Sequence, residues 1–197
     1  LEKLEDESMH EILRTQKAEA NNIFFKYIEK NYINWMKNPE ESPVLSHQLF
    51  KKKVLPALSD ERPTFFFLID NLRYDQWKQI NDVITDYYRL EEEDNYYSIL
   101  PTATQYARNS IFSGLTPLEM SKRFPDLWQN DEDEGGKNLN EDKFLADQLK
   151  RIYRKEIKHS YTKVLTLEQG RDVVDNLSNL MNNNLNVLVY NFVDMLS

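Results

Sequence analysis

The chain contains no cysteine, which excludes disulfide frameworks and thiolate metal sites and fits a cytoplasmic protein. Long apolar runs are also missing. The richest stretches, 65–69 and 187–193, fall far short of the roughly 20 residues a spanning helix needs, so membrane insertion is not expected. The N-terminal residues Leu1-Glu2-Lys3-Leu4-Glu5-Asp6-Glu7 lack the basic patch and apolar core of a targeting segment. Nor is there an excess of basic residues: 25 Lys and Arg stand against 33 Asp and Glu, for a net charge of -8. That balance argues against a duplex nucleic-acid binder, which neutralises phosphates with a basic stripe. Phosphate-containing substrates stay open, because a bound cation can invert the local field of an acidic protein. No internal repeat is present.

What is present suffices for one sizeable core and a satellite: 197 residues, 40% of them hydrophobic. Residues 5–38 read as helical, with Phe25, Ile28, Tyr32 and Trp35 on one face, and Asn38-Pro39 ends the stretch. A short helix with Leu45, Leu49 and Val54 follows, and Ser59-Asp60-Glu61-Arg62-Pro63 reads as a linker. Residues 1–58 are therefore expected to form a helical bundle or linker region, and 63–197 an α/β domain with a largely parallel sheet flanked by helices.

Within that domain 64–69 predicts a strand covered on both faces, and 73–88 a helix. A weaker strand is expected at 96–100, then a helix at 105–113 closed by Gly114. The acidic stretch 130–136 reads as a solvated loop. Asn140-Glu141-Asp142 opens a helix with acids in its first turn, where the dipole favours them. Thr166-Leu167-Glu168-Gln169 resembles a capping box heading a helix with Val173, Leu177 and Leu180. A buried strand at 186–193 then delivers Asp194.

Three polar signals lie where ligands collect in such sheets, at the carboxyl ends of strands. Asp70 directly follows an apolar strand, so its carboxylate can hold a hard cation or cap the next helix. Pro101-Thr102-Ala103-Thr104 places two hydroxyls before a helix whose N-terminus favours an anion. Either threonine caps the helix or, once activated, attacks an electrophile. Arg108, one turn beyond Thr104, can reach the same anion or face solvent. Asp194 repeats the acid-after-strand pattern, and together these residues form a candidate metal and phosphate site.

Ile69-Asp70-Asn71-Leu72-Arg73 resembles the first metal-binding segment of alkaline phosphatase superfamily phosphodiesterases. Residues 101–104 with Ser110-Ile111-Phe112-Ser113-Gly114 resemble that superfamily's nucleophile segment, and Asp194-Met195-Leu196-Ser197 the start of a later metal-binding segment, with Ser in place of Gly. More narrowly, 70–76 combined with 101–108 is similar to PglZ domains. With the helical region upstream, the chain resembles the effector half of PglZ-containing response regulators that control type IX secretion.

The resemblance implies a partial alkaline-phosphatase-like domain holding two divalent metal ions, zinc being the expected metal. Asp70, Thr104 and Asp194 are the implied ligands, Thr104 the nucleophile, and Arg108 and Asn71 the substrate contacts. Implied substrates are phosphodiesters such as oligonucleotides or nucleotide signals. Implied partners are a sensor kinase, secretion or transcription regulators and a second copy of the chain. Tyr106 and Tyr74 become candidates to stack on a base or to pack in the core. A competing expectation is a docking module that regulates secretion through protein contacts. None of His10, His47 and His159 matches a family histidine, and the sequence stops at Ser197 where the later motif would supply one. The remaining ligands are thus expected beyond this chain.

Overall fold

A computed structural model describes residues 7–128, 138–153 and 156–191. Asp194 and the acidic stretch 130–136 lie outside the described residues. By its internal contacts the chain divides into two compact units, Leu1–Pro43 and Val44–Ser197.

In the first unit the helical periodicity produces one long helix, α1 (Glu7–Lys37, 31 residues). Tyr27 and Trp35, about two turns apart and so on one face, meet edge to face with ring centroids 5.5 Å apart. Trp35 is buried, but Phe25 is 63% exposed and does not share the buried stripe expected for it.

The second unit is built on three parallel strands, β1 (Thr64–Ile69), β2 (His159–Val164) and β3 (Leu185–Tyr190), in the order β1-β3-β2. Its helices are α2 (Ser46–Leu49), α3 (Tyr74–Thr85), α4 (Thr104–Ser113), α5 (Pro117–Arg123), α6 (Glu141–Ile152), α7 (Leu167–Asp175) and α8 (Leu177–Leu180). A π-type turn and a 3-10 turn, Phe50–Val54 and Leu55–Ala57, continue α2. This stretch contributes Phe50 and Val54 to the second unit's core. The division thus falls ahead of the 59–63 segment read as a linker.

Alternation along the strands explains the core. Leu185, Val187 and Val189 of β3 and Phe66 and Leu68 of β1 join Ile111 and Phe112 of α4 and Phe144, Leu145 and Leu149 of α6 in one cluster. Phe112, fully buried, stands edge-on to Phe66 at 6.3 Å and to Tyr161 at 5.5 Å. Removing such a side chain costs about 3–5 kcal/mol.

Several expectations are corrected. β1 is not covered on both faces, since Phe67, on the face away from the core cluster, is 55% exposed. Residues 96–100 form no strand. Tyr97 makes a single bridge to Leu45, and the next-but-one amide, Ile99 N–H, is taken by the Ser46 hydroxyl at 3.1 Å. A side-chain acceptor at that point ends the ladder. The helix from 73 stops at Thr85. The helix after Thr166 breaks at Asn176, whose side-chain amide donates back to the Asp172 carbonyl at 2.9 Å. Its opening turn is close to the expected box: Thr166 Oγ1 accepts from Gln169 N–H at 3.2 Å, and Gln169 Oε1 accepts from Leu165 N–H at 2.7 Å. β2 was not anticipated.

The register levels the carboxyl ends of all three strands, because Ile69 and Val164 both stand opposite Tyr190. Two further bonds carry the ladder past the strands: Asp70 N–H donates to the Tyr190 carbonyl at 2.9 Å, and Asn191 N–H to the Val164 carbonyl at 3.0 Å. Asp70 and Asn191 are therefore neighbours at one edge.

Candidate active site

The capping readings of Asp70 and of the threonines are not realised. Arg73 occupies the N-cap position of α3, and its N–H is taken by Gln76 Oε1 at 3.0 Å. Ala103 occupies that of α4, and its carbonyl accepts from Tyr106 and Ala107 N–H at 2.9 and 3.0 Å. Thr104 is thus the first helical residue, partly exposed, at a helix end whose amides and dipole favour an anion.

Asp70 keeps its side chain 22% exposed at the edge of the sheet. Its Oδ1 accepts from Asn71 N–H at 3.1 Å, and Asn71 itself is exposed in the left-handed region at φ 59°, a conformation asparagine tolerates better than most residues. Its Oδ2 accepts from Arg108 Nη1 at 2.9 Å.

Arg108 does not face solvent; its side chain is only 4% exposed. Nη1 also donates to Asn191 Oδ1 at 2.8 Å, Nη2 donates to Glu141 Oε2 at 3.2 Å, and Nε donates to Glu141 Oε1. Glu141, with no exposed side-chain surface, further accepts from the Tyr161 hydroxyl at 2.5 Å and has Lys163 Nζ 3.1 Å away. Burial, and after it the Glu141 carboxylate, push the Tyr161 hydroxyl upward, so it remains a donor. Burial and then the Asp70 charge push Tyr96 upward, which marks Tyr96 as a neighbour of the site.

The structure therefore joins Asp70 directly to Arg108. Residues four apart share a helix face, so the face of α4 that delivers Arg108 to Asp70 also carries Thr104. Sequence reasoning missed Asn191, Tyr161 and Lys163 and read Glu141 as a first-turn acid only. The missing signal is β2, which supplies Tyr161 and Lys163. Tyr106 lies 5.9 Å from Trp128, and Tyr74 donates to Glu93 Oε1 at 3.1 Å under Lys78; both rings have partners within the fold.

Asp70 offers a hard oxygen donor suited to a divalent ion, yet the fit is partial. Both carboxylates of the cluster, Asp70 and Glu141, are already held directly by cations, Asp70 by Arg108 and Glu141 by Arg108 and Lys163. Among the described residues no group of three or more His, Cys, Asp or Glu could hold a metal, and Asp194 lies outside them.

A parallel sheet with a carboxylate closing one strand and a threonine heading a helix packed on it defines an α/β domain with its polar site at the carboxyl ends of the strands, consistent with a partial alkaline-phosphatase-like fold. A family model for the BREX system PglZ alkaline phosphatase-like domain matches residues 49–197, and one for the PorX response regulator linker domain matches residues 1–36. The chain belongs to the PglZ family, and its residues 1–36 are similar to the PorX linker domain. A search of curated proteins found no significant match. Among the described residues no helix is long and apolar enough to cross a membrane.

Proposed function

We propose that this domain hydrolyses phosphodiesters, with Thr104 as nucleophile, as the effector part of a two-component regulator. The observation that carries the reading is the position of Thr104: it heads α4 without serving as its cap, on the face whose Arg108 meets Asp70. The hydroxyl attacks phosphorus as the P–O bond to one alcohol breaks, that alcohol leaving with a proton in exchange for the one the hydroxyl loses, while α4's first-turn amides and dipole stabilise the charge on the non-bridging oxygens. Water then attacks the threonine-bound phosphodiester, breaking its bond to Thr104, which restores the hydroxyl and releases a phosphomonoester. Asn71, exposed beside Asp70, contacts the substrate. Arg108 acts on the substrate side chiefly through Asp70 and Asn191, since both of these share its Nη1.

Divalent ions, zinc first among them, belong to this proposal, with Asp70 as one ligand and Asp194 as another. When bound, such an ion lowers the pKa of a coordinated hydroxyl and screens phosphate charge. Oligonucleotides and nucleotide signals are the substrate class that follows. The test is turnover of a chromogenic phosphodiester by the full-length protein with zinc supplied. Thr104→Val should reduce kcat by at least about 100-fold; undiminished turnover removes Thr104 from the role.

A second reading, a docking module, is favoured by α1, where Ile12, Ile23, Phe25 and Ile33 are each more than half exposed. In that case α1 pairs with a second copy, and the full-length protein contacts its sensor kinase and secretion or transcription regulators without turnover. Metal content separates the readings: tightly bound ions in the full-length protein favour hydrolysis, and their absence favours docking.

A further inference from the structure

The hydrolase reading gives Asp70 a task but leaves Glu141 without one. A fully buried glutamate is an expensive group, and an apolar side chain of similar volume would stabilise the fold as well. Glu141 nevertheless receives a guanidinium, a phenol and an ammonium. Among the described residues none of these groups is hydrogen-bonded to the Thr104 hydroxyl, and of the three only the guanidinium reaches Asp70. What the cluster does is fix the plane of one guanidinium. Both Nε and Nη2 of Arg108 lie on the Glu141 carboxylate, a two-point contact that determines where the third nitrogen points. That nitrogen, Nη1, bridges Asp70 Oδ2 and Asn191 Oδ1, the first residues past β1 and β3.

We propose that Glu141 and Arg108 are positioning residues: Glu141 sets the guanidinium plane, and Arg108 in turn sets the orientation of the Asp70 carboxylate across the ends of β1 and β3. The direction of control follows from burial. Exposure rises along the relay from Glu141 at 0% through Arg108 at 4% to Asp70 at 22%, so the rigid end is inside and the held end meets the solvent. Tyr161 and Lys163 complete the satisfaction of Glu141 from the next strand. Both lie on Oε2, the oxygen that also takes Arg108 Nη2, and hold it in place. The inference rests on the hydrolase reading for the importance of Asp70, but not for the relay itself.

The reporter is the Asn71 amide, whose N–H donates to the other oxygen of Asp70 at 3.1 Å. In the full-length protein Arg108→Lys keeps the charge and loses the two-point contact, and the milder Tyr161→Phe removes one donor from Glu141. Both should shift the Asn71 amide resonance, Arg108→Lys more than Tyr161→Phe, in variants whose near-ultraviolet circular dichroism matches the parent. In calorimetric titration with zinc alone, Arg108→Lys should weaken binding by about 10-fold or more, as loss of an outer-shell partner does. Combined with Asp70→Asn it should add nothing. A parental Asn71 amide in both folded variants overturns the proposal. So does a zinc loss of the same size with Asp70 already replaced. If the parent binds no zinc, the hydrolase reading fails, and the relay is judged by the Asn71 amide alone.

Discussion

The two ends of α4 are built to opposite specifications. At its tail, Gly114 takes the left-handed conformation at φ 64° and returns its N–H to the Ser110 carbonyl at 2.9 Å. Arg151 donates to the Ser113 carbonyl. The buried Gln148 amide, oriented to suit its neighbours, donates to the Ile111 and Phe112 carbonyls at 3.2 and 2.8 Å. At its head, Ala103 is the N-cap and has no side-chain hydrogen bond to offer, although a Ser, Thr, Asp or Asn there would stabilise the helix by about 1 kcal/mol. The comparison teaches that stability and availability are separated along ten residues of helix: anchoring is concentrated where no chemistry is proposed, so the head can forgo it.

Substitutions at the two ends should sort accordingly. The largest effect belongs to the head and to turnover. Thr104→Val, expected to lose at least about 100-fold in kcat, should shift the urea-unfolding free energy by less than about 0.5 kcal/mol, as a substitution that breaks no packing or bond does. A comparable loss of stability would mean that Thr104 is structural after all.

At the tail the pattern reverses. A Cβ on Gly114 would meet the end of the Gln148 side-chain amide at 2.3 Å, in a conformation that L side chains seldom adopt. Gly114→Ala therefore pays backbone strain of about 1–2 kcal/mol and displaces a buried amide from two carbonyls. About 3 kcal/mol of destabilisation is expected in urea unfolding, with kcat per folded molecule unchanged. Gln148→Leu removes only the amide and keeps the volume, so about 2 kcal/mol is expected from the two carbonyls left unpaired. Equal losses in the two variants would show that the glycine's conformation contributes nothing.

How much of this was legible in the sequence follows the same divide. The tail of α4 was readable because Gly114 is a local signal, and so were the start of α6 and the strand leading to Asp70. Residue 108 could be placed on the Thr104 face by helical spacing alone. Its inward direction could not, because the partner that turns it, Glu141, lies 33 positions away and looks like an ordinary first-turn acid. β2 was illegible for a related reason. His159, Tyr161 and Lys163 give neither clean alternation nor an apolar run, since Tyr161 spends its hydroxyl, and Lys163 its ammonium, on Glu141. Phe67 misled in the other direction: an apolar run does not say whether both faces of a strand are covered, and the face of β1 away from the core leaves Phe67 55% exposed.

The smallest expected effect tests the burial of a histidine in α2 through pH. His47, in α2, has Nδ1 without a hydrogen-bond partner among the described residues. Burial lowers its pKa from the ordinary 6.5, opposed by the charge of Glu119 and assisted by that of Lys52. The folded state thus binds this proton less readily than the unfolded chain. Above pH 6.5 neither state carries it and His47 makes stability independent of pH. As the pH falls below that value the unfolded chain takes up the proton first, so stability declines until the folded protein also protonates. Urea midpoints measured at about pH 7.5 and pH 5.5 should therefore differ more in the parent than in His47→Gln, whose side chain cannot take up a proton. Other groups titrate over this range in both proteins, so the difference between the two slopes is the measurement. A His47→Gln slope as steep as the parent's would place the histidine in water rather than in the packed interior.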